Sequence, residues 1–417
     1  MKVCIIGAGP AGLMAAIHAA SSKLPTLVVE ANADAGRKLL LTGGGRCNFT
    51  HAGGPEELVQ AFGKAGRFLR HSLYELPPDD VRESFRSRGL ADAVEPDGCV
   101  FPKSHGAAMV RDILLNEVQE RGAAFQFRCR VKDVTVGDNG FGIQAEDRHI
   151  VAARLIIATG GVSWPQTGSR GDGYHLAAQM GHTIVPPRPA LVPLVTRETW
   201  PGTLAGVSLP GVQMRATPGR HRLTTSGNML FTQKGIGGPA VLDLSRLLAD
   251  ELGPEQAGIE IRIDVLPEMD EARLDRRLQE QCRIWPKKTV ANILCDFVPR
   301  QVSRALCQVA QCDGDRRAGQ LPGDTRRRLV RTIKNLPLCV TGTEPIAKAT
   351  VTHGGVNREE IDAQTMESKI CPGLFFAGEV IDADGPCGGY NLQMCWSTGA
   401  LAGRSAARSL RDKSAPT

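Results

Sequence analysis

Three glycines near the N-terminus have the clearest chemical meaning in this chain. Gly7, Gly9 and Gly12 follow the apolar residues 2–6 and open an apolar helical pattern. In such a unit, backbone N–H groups and the positive end of the helix dipole bind a pyrophosphate. Gly7 permits the tight turn, Gly9 lets the backbone approach the phosphates, and Gly12 lets the helix pack closely on the strand. The spacing therefore predicts a dinucleotide site.

An acidic residue completes this unit. The next apolar run, Thr26–Val29, ends on Glu30, whose carboxylate would accept hydrogen bonds from ribose hydroxyls and repel a 2′-phosphate. This favours FAD or NAD over NADP. The alternative is a signal peptide, because Lys2, the apolar run and the small residues 19–21 resemble one. The glycines and Pro10 interrupt that run, so we expect a cytoplasmic protein.

Two later segments extend the predicted site. Ala158, Thr159 and Gly160 end one apolar stretch, and Gly378 and Glu379 end another near the C-terminus. Glycines at a strand end allow close passage of a dinucleotide, and the late acid is typical of a ribityl contact in flavoproteins. NAD enzymes need only the N-terminal unit, so the three segments together predict non-covalently bound FAD.

Composition sets limits on the class of protein. The 417 residues are 42% hydrophobic, which allows two or three domains with a large core. No uninterrupted apolar run reaches about 18 residues, so we expect no membrane association. The net charge of +6 permits anionic ligands without requiring nucleic acid, and we expect no nucleic-acid partner. The 12 cysteines include no CxxC pair, so neither a metal site nor a disulfide motif is predicted.

The order of patterns predicts an α/β protein in which a Rossmann-type domain is interrupted by an insertion. The predicted bounds are 1–190 and 346–417 for the FAD-binding domain, 191–267 and about 335–345 for a β-rich inserted domain, and 268–334 for a helical inserted domain. Residues 186–189 contain three prolines and predict a stiff linker. Residues 412–417 are expected to form a frayed tail, and nothing in the sequence sets the oligomeric state.

Long motifs narrow the match to one family. The motifs span residues 36–48, 230–240, 378–385 and 388–393. They resemble the YhiN/BaiN-like family of bacterial FAD-dependent flavoproteins, in order and from one terminus to the other. The resemblance implies a Rossmann-type FAD-binding domain of the two-dinucleotide-binding-domain flavoprotein type, interrupted by a β-barrel-like insertion and a small helical one. The family usually has Thr at the position of Cys387.

The resemblance also implies positions of cofactor contact. Arg46 to Asn48 would lie along the flavin and pyrophosphate, while Asn391 to Gln393 would present helix N-terminal N–H groups to the flavin pyrimidine edge. The backbone of Val131 would contact adenine. The expected cofactor-binding residues are Gly7, Gly9, Pro10, Ala11, Gly12, Glu30, Ala31, Lys38, Gly44, Arg46, Cys47, Asn48, Val131, Ala158, Thr159, Gly160, Gly378, Glu379, Asn391, Leu392 and Gln393. No metal ligand is expected and no catalytic residue is assigned.

The implied function is that of an FAD-dependent oxidoreductase. It would be reduced by NAD(P)H and would deliver hydride from reduced flavin N5 to an organic acceptor, such as a conjugated enone in a steroid-like small molecule. Two alternatives stay open, a tRNA-modifying flavoprotein and a non-enzymatic redox sensor or electron carrier.

Three further features have both a functional and a structural interpretation. His353 and Tyr390 could donate a proton to the substrate or serve as structural hydrogen-bonding groups. The cluster Arg326–Arg328 could bind an NADPH phosphate or RNA, although such clusters are more often solvated helix faces. Residues 235–240 fit GxGxxA, but we interpret them as the start of a helix at Pro239.

Overall fold

The computed structural model describes residues 1–104, 106–138, 140–146, 148–219, 221–252 and 258–411. It contains two compact units, Met1–Arg188 with Ile346–Thr417, and Pro189–Pro345. The division of the insertion into a β-rich and a helical domain stays a prediction. The predicted tail, 412–417, lies outside the described residues.

The first unit is organised around a parallel sheet. Its five strands, in spatial order, are Leu374–Phe376, Arg154–Ile157, Val3–Ile6, Thr26–Val29 and Ala124–Gln126. The three central strands are almost continuously apolar and buried, as expected for parallel strands covered on both faces. Ile5 lies in register between Val28 and Ile156. This arrangement confirms the predicted Rossmann-type fold.

Two helices from opposite ends of the chain pack closely in this unit. The helix Pro10–Ala20 lies against the helix Tyr390–Arg411. A Cβ at Gly399 would overlap the carbonyl oxygen of Ala11, so this close approach of the two backbones requires glycine. The packing brings the start of the C-terminal helix into the same unit as the N-terminal glycines.

Smaller elements complete the first unit. Its other helices are Pro55–Ala61, Gly66–Glu75, Pro78–Arg86, Gly106–Glu120 and Asp172–Gln179. Two antiparallel sheets are formed by Thr50–His51, Cys99–Pro102 and Asp92–Val94, and by Val131–Gly137, Gly140–Ala145 and Arg148–Ala152. Ile184–Ala190 pairs with Val351–Val356. The prolines of the predicted linker, 186–189, lie in this two-stranded sheet, where an edge strand tolerates missing N–H donors. The boundary between the two units falls between Arg188 and Pro189, and the stiff linker stays a prediction.

The second unit contains a closed barrel and a group of helices. The barrel strands, in spatial order, are Leu194–Thr196, Gly235–Gly237, Leu223–Thr232, Ser208–Ala216, Ile259–Asp264 and Leu336–Thr343. The helices are Pro239–Leu247, Glu271–Ile284, Val290–Leu294, Arg300–Val309 and Gly323–Lys334. The predicted β-barrel-like insertion with helical content is thus confirmed, and a helix does begin at Pro239.

None of the helices within the described ranges combines the length and the apolar character that a membrane span requires.

Candidate cofactor site

The N-terminal glycine turn has the conformation that its spacing predicts. Gly7 has a φ of +105°, and a Cβ there would lie 2.5 Å from the carbonyl oxygen of Ala158. A Cβ at Gly12 would overlap the Gly7 carbonyl oxygen, whereas one at Gly9, the N-cap of the first helix, would meet no atom within 4 Å. The backbone at Gly9 is therefore open to an approaching group. This is the geometry that binds a pyrophosphate at a helix N-terminus.

Glu30 is fixed at the end of the second strand. Its buried carboxylate accepts hydrogen bonds from the N–H of Ala8 at 2.8 Å and from the N–H and Nδ2 of Asn32 at 2.8 and 2.7 Å. A carboxylate offers roughly four acceptor positions, so capacity for a further donor remains. Three donors hold the negative charge in a fixed place, and a ribose hydroxyl could supply the fourth.

A cleft that is open in part to solvent brings several expected residues together. Its lining residues are Ile6, Gly7, Val29, Glu30, Ala31, Cys129, Val131, Thr159, Gly168, Arg170, Asp172 and Leu176. The hydroxyl of Thr159 is buried and has no hydrogen-bond partner in the described part of the chain. A buried hydroxyl without a partner costs about 1–3 kcal/mol, which a polar atom of a bound group would offset. The cleft therefore fits the adenosine half of a dinucleotide.

A second polar cluster surrounds Lys38 and Glu379. Lys38 Nζ lies 2.6 Å from Glu379 Oε2 and 2.6 Å from Ser163 Oγ. Glu379 Oε1 accepts hydrogen bonds from Ser163 Oγ at 3.0 Å and from the N–H of Thr352 at 2.8 Å. Thr352 Oγ1 in turn accepts the N–H of Val162 and of Ser163. Four distant segments of the chain thus meet at one ion pair.

Sequence reasoning identified Lys38 and Glu379 but missed Ser163 and Thr352. Single hydroxyl residues have no distinctive spacing, and these two lie 189 positions apart. A weak signal was present in Gly161, where a Cβ would overlap the Thr352 hydroxyl.

The glycine-rich loop forms an irregular turn before Arg46. Gly43, Gly44 and Gly45 all have positive φ values, of +57°, +66° and +89°. The Arg46 guanidinium lies 3.9 Å from the centroid of the Phe101 ring and is ion-paired with Glu95. The loop therefore holds its arginine partly exposed on the surface of an aromatic ring.

Cys47 and Asn48 follow in this loop. Cys47 is completely buried with a φ of +62°, and burial raises the pKa of its thiol to about 12. It is therefore protonated at neutral pH and unreactive as a nucleophile. Asn48 Oδ1 accepts the N–H of Val100 at 3.2 Å. Burial fixes Cys47 and the hydrogen bond from Val100 fixes Asn48, independently of any contact with a cofactor.

The start of the C-terminal helix orders a neighbouring loop. Asn391 Oδ1 accepts the N–H of Gly385 at 2.8 Å, and Asn391 Nδ2 donates to the carbonyl oxygens of Gly385 and Pro386 at 2.9 and 3.2 Å. In helix geometry, the N–H groups of Asn391 and Leu392 have no acceptor within the helix. Of the three residues predicted to contact the flavin edge, Asn391 and Leu392 therefore have the backbone N–H groups with donor capacity for it.

Gln393 differs from its two neighbours. Its side chain is completely buried, donates to the Leu76 carbonyl at 2.8 Å and accepts from Thr50 Oγ1 at 2.6 Å. Its N–H donates to the Gly389 carbonyl at 3.0 Å. Gln393 therefore connects the helix to other parts of the first unit, a role that the motif alone did not indicate.

The two possible proton donors are both held by neighbours. His353 Nδ1 lies 2.7 Å from Asp384 Oδ1, and Asp384 is buried. The Tyr390 ring stacks on His51 with centroids 4.3 Å apart, and His51 Nδ1 lies 2.9 Å from the Gly388 carbonyl oxygen. Asp384 and His51 were not predicted, because neither belongs to a recognisable motif.

Comparison with known sequences identifies the family of this chain. A family model described as the HI0933-like protein Rossmann domain matches residues 1–405. The chain is 34% identical over 412 residues to the 3-dehydro-bile acid delta(4,6)-reductase of Clostridium scindens, covering 97% of this chain and 99% of that protein. It is 32% identical over 397 residues to the ribosomal RNA dihydrouridine synthase of Escherichia coli, covering 94% and 95%. These matches confirm the family resemblance that the motifs indicated.

Comparison with solved structures agrees with the fold. The open conformation of a flavocytochrome c3 fumarate reductase matches with a TM-score of 0.51 and 17% identity, covering 98% of this chain and 78% of that one. The 3-ketosteroid delta1-dehydrogenase of Sterolibacterium denitrificans also matches with a TM-score of 0.51, at 13% identity and with 98% and 99% covered.

Proposed function

This chain belongs to the HI0933-like Rossmann family of FAD-dependent oxidoreductases, and from that premise we propose that it is a cytoplasmic, NAD(P)H-dependent reductase. Its acceptor would be a small molecule containing a carbon–carbon double bond conjugated to a carbonyl group. The observation that carries the cofactor part of the proposal is the cleft between Gly7, Glu30 and Thr159, where the Thr159 hydroxyl is buried and has no partner in the described residues.

Different residues of the site would bind different parts of the cofactor. The turn at Gly7 and Gly9 would bind the pyrophosphate, and Glu30 would accept from the adenosine ribose. Lys38 and Glu379 would fix the ribityl side with a balanced pair of charges. When bound there, FAD would supply hydride-transfer chemistry between NADH or NADPH and the electron-poor carbon of the acceptor, and a proton would complete the addition of two hydrogens.

The names of the relatives support this choice of reaction. A delta(4,6)-reductase of a 3-dehydro-bile acid saturates carbon–carbon double bonds in a molecule with a ketone. Formation of dihydrouridine saturates the C5–C6 bond of uridine, which is conjugated to the C4 carbonyl. Both names therefore describe addition of two hydrogens across a double bond that a carbonyl group polarises.

The name ribosomal RNA dihydrouridine synthase favours a second candidate acceptor, uridine in ribosomal RNA. Two relatives, from Escherichia coli and Haemophilus influenzae, bear it at 32% identity over 94% of this chain. The same reaction would then act on a nucleic acid instead of a small molecule.

The experiment reduces the FAD-loaded protein with NADH or NADPH in the absence of oxygen and then adds one acceptor at a time. A 3-keto-4,6-diene steroid tests the first candidate, and ribosomal RNA tests the second. Return of the oxidised flavin spectrum, with mass spectrometry showing two added hydrogens, identifies the acceptor. Free FAD replaces the protein in the control. A flavin that neither acceptor reoxidises would overturn the proposal.

A further inference from the structure

The positive charge of the protein is concentrated in one segment. Residues 268–334 contain 15 Lys and Arg against 9 Asp and Glu, a net charge of +6. The whole chain contains 50 against 44, which is also +6, so the rest of the sequence is balanced at 35 against 35. The net positive charge of the whole chain is therefore equal to that of this segment, which favours the binding of anions there.

The arginine cluster noted in the sequence does not supply this surface. Arg326 forms two hydrogen bonds to Asp275, at 2.8 and 3.0 Å, and Arg327 is ion-paired with Asp324 at 2.5 Å. Arg328 donates to two main-chain carbonyl oxygens at 2.6 and 2.8 Å. Arg326 and Arg328 thus connect parts of the helical segment, and Arg327 is paired within its own helix, so all three guanidinium groups already have partners.

A different group of cations lies at the end of the helix Glu271–Ile284. Residues 283–288 are all exposed, and they include Arg283, Lys287 and Lys288. Trp285 is 48% exposed, and Lys288 Nζ lies 4.3 Å from the centroid of its ring. A large aromatic side chain is thus held at the surface among positive charges.

A neighbouring segment adds two more arginines. The N–H of Val290 donates to the Arg316 carbonyl at 2.9 Å, and the N–H of Ala318 donates to the Lys288 carbonyl at 2.8 Å. These bonds place Arg316 and Arg317, both exposed, beside Lys288.

We call Arg283, Trp285, Lys287, Lys288, Arg316 and Arg317 the Trp285 surface. Within the described ranges of the chain, Arg283, Lys287, Arg316 and Arg317 have no ion-pair partner. The nearest acidic residues in sequence are Glu280, Asp313 and Asp315.

We propose that the Trp285 surface binds single-stranded RNA. Its cations would neutralise phosphates, and the indole would stack on an unpaired base. Lys288 above the ring adds a cation–π contact that keeps the ring presented. This inference rests on the second candidate acceptor, uridine in RNA. It adds a binding surface that no motif of the sequence indicated.

The test measures binding of the FAD-loaded full-length protein to a labelled, uridine-containing RNA of about 20 nucleotides, enough to exceed the site size of common single-strand binders. Fluorescence anisotropy is recorded over a series of KCl concentrations. Lys287→Ala with Lys288→Ala should lower the slope of log affinity against log salt by about 1.4, since each phosphate contact on a single strand contributes about 0.7.

Stacking is tested separately. Trp285→Ala should weaken binding roughly tenfold, and Trp285→Phe should restore most of the affinity, because stacking requires an aromatic face. The matched control removes two exposed cations elsewhere, Arg67→Ala with Arg222→Ala, and should bind RNA like the wild type. Retained FAD and an unchanged melting temperature show that each variant is folded.

Several results would overturn the proposal. They are absence of RNA binding by the wild type, equal binding by the Trp285 surface variants, and binding to phosphatidylglycerol vesicles without binding to RNA. Enone-dependent NAD(P)H oxidation, measured in the same samples, separates this result from the proposed reaction. Variants that no longer bind RNA but still oxidise NAD(P)H support RNA binding at the Trp285 surface. If the protein reduces neither acceptor, that result contradicts the proposed reaction and not the proposed RNA binding.

Discussion

Each of the two units contains a lysine that is paired with a carboxylate from a distant part of the chain. In the first unit, Lys38 Nζ lies 2.6 Å from Glu379 Oε2, and the two side chains are 22% and 13% exposed. In the second unit, Lys334 Nζ lies 2.8 Å from Asp264 Oδ2, and the corresponding values are 9% and 6%. The pairs have the same chemistry but differ in how completely the protein uses their donors.

The ammonium group of Lys334 is saturated. It contacts Asp264, donates to the Leu266 carbonyl at 2.7 Å and also donates to the Met269 carbonyl, which accounts for its three N–H bonds. In the described part of the chain, Lys38 donates to Ser163 and Glu379, which accounts for two. Lys38 therefore has one N–H bond available for a bound cofactor, whereas all three N–H bonds of Lys334 are used within the protein. The two lysines differ in this spare donor and not in ion pairing.

The largest expected effect comes from breaking the saturated pair. Lys334→Met should destabilise the protein by about 3 kcal/mol, because it leaves the buried Asp264 carboxylate with Arg215 Nη2, 3.9 Å away, as its remaining cation. Urea unfolding of the full-length protein measures the loss. The double variant Lys334→Met with Asp264→Asn should regain most of the stability, since no buried charge remains. A loss below about 1 kcal/mol in the single variant would show that the pair is not structural.

Breaking the other pair should affect the cofactor more than the fold. Lys38→Met leaves Glu379 with donors from Ser163 and Thr352, so we expect a stability loss of only about 1–3 kcal/mol. The affinity for FAD should fall at least tenfold, measured by titrating FAD into the cofactor-free protein. Lys23→Met, at an exposed position, is the control. Unchanged FAD affinity in Lys38→Met would show that Lys38, like Lys334, does not bind the cofactor.

Local sequence predicted the parts of the fold and site that local geometry determines. Gly7, Gly12 and Glu30 lie within one strand–helix–strand unit, where a fixed spacing requires each residue type. Patterns of apolar residues likewise predicted the strands of the first unit and a β-rich insertion, whereas the barrel was implied by the family resemblance. These features need no knowledge of distant contacts.

Long-range pairing explains what could not be predicted. Ser163, Thr352 and the buried partners of Gln393 come together only after the whole unit folds, since Gln393 reaches Leu76 across 317 positions. The order of the strands is also non-local, with Leu374–Phe376 beside Arg154–Ile157. The accessible cations around Trp285 were missed for the same reason, because charge runs alone do not show which arginines are paired internally.

Glu30 has spare capacity as a hydrogen-bond acceptor, as Lys38 has as a donor, and Glu30→Gln tests whether that capacity binds FAD. The amide keeps the shape but replaces one acceptor oxygen with a donor group, which would face the N–H of Ala8 or of Asn32. Loss of that hydrogen bond destabilises the fold, while a ribose hydroxyl would donate to a neutral oxygen instead of a charged one. Because a hydrogen bond to a charged group contributes about 1.5–3 kcal/mol and a neutral one about 0.5–1.5 kcal/mol, FAD affinity should fall by roughly tenfold. Asp80→Asn, which removes an exposed acid, should leave FAD affinity unchanged. Equal affinities in the two variants would place the ribose elsewhere.

The smallest effect is expected at the unpartnered hydroxyl of Thr159. Thr159→Val keeps the shape of the side chain and removes only the polar atom that lacks a partner in the described residues. Without FAD, the variant should be as stable as the wild type or up to about 1 kcal/mol more stable, because a buried polar group is gone. With FAD, affinity should fall about fivefold, or about 1 kcal/mol. Thr159→Ser should keep most of the affinity because it retains the hydroxyl. If the wild type, Thr159→Val and Thr159→Ser bind FAD equally well, unused hydrogen-bonding capacity does not identify the cofactor site. The spare donor of Lys38 would then be no evidence that this lysine binds FAD.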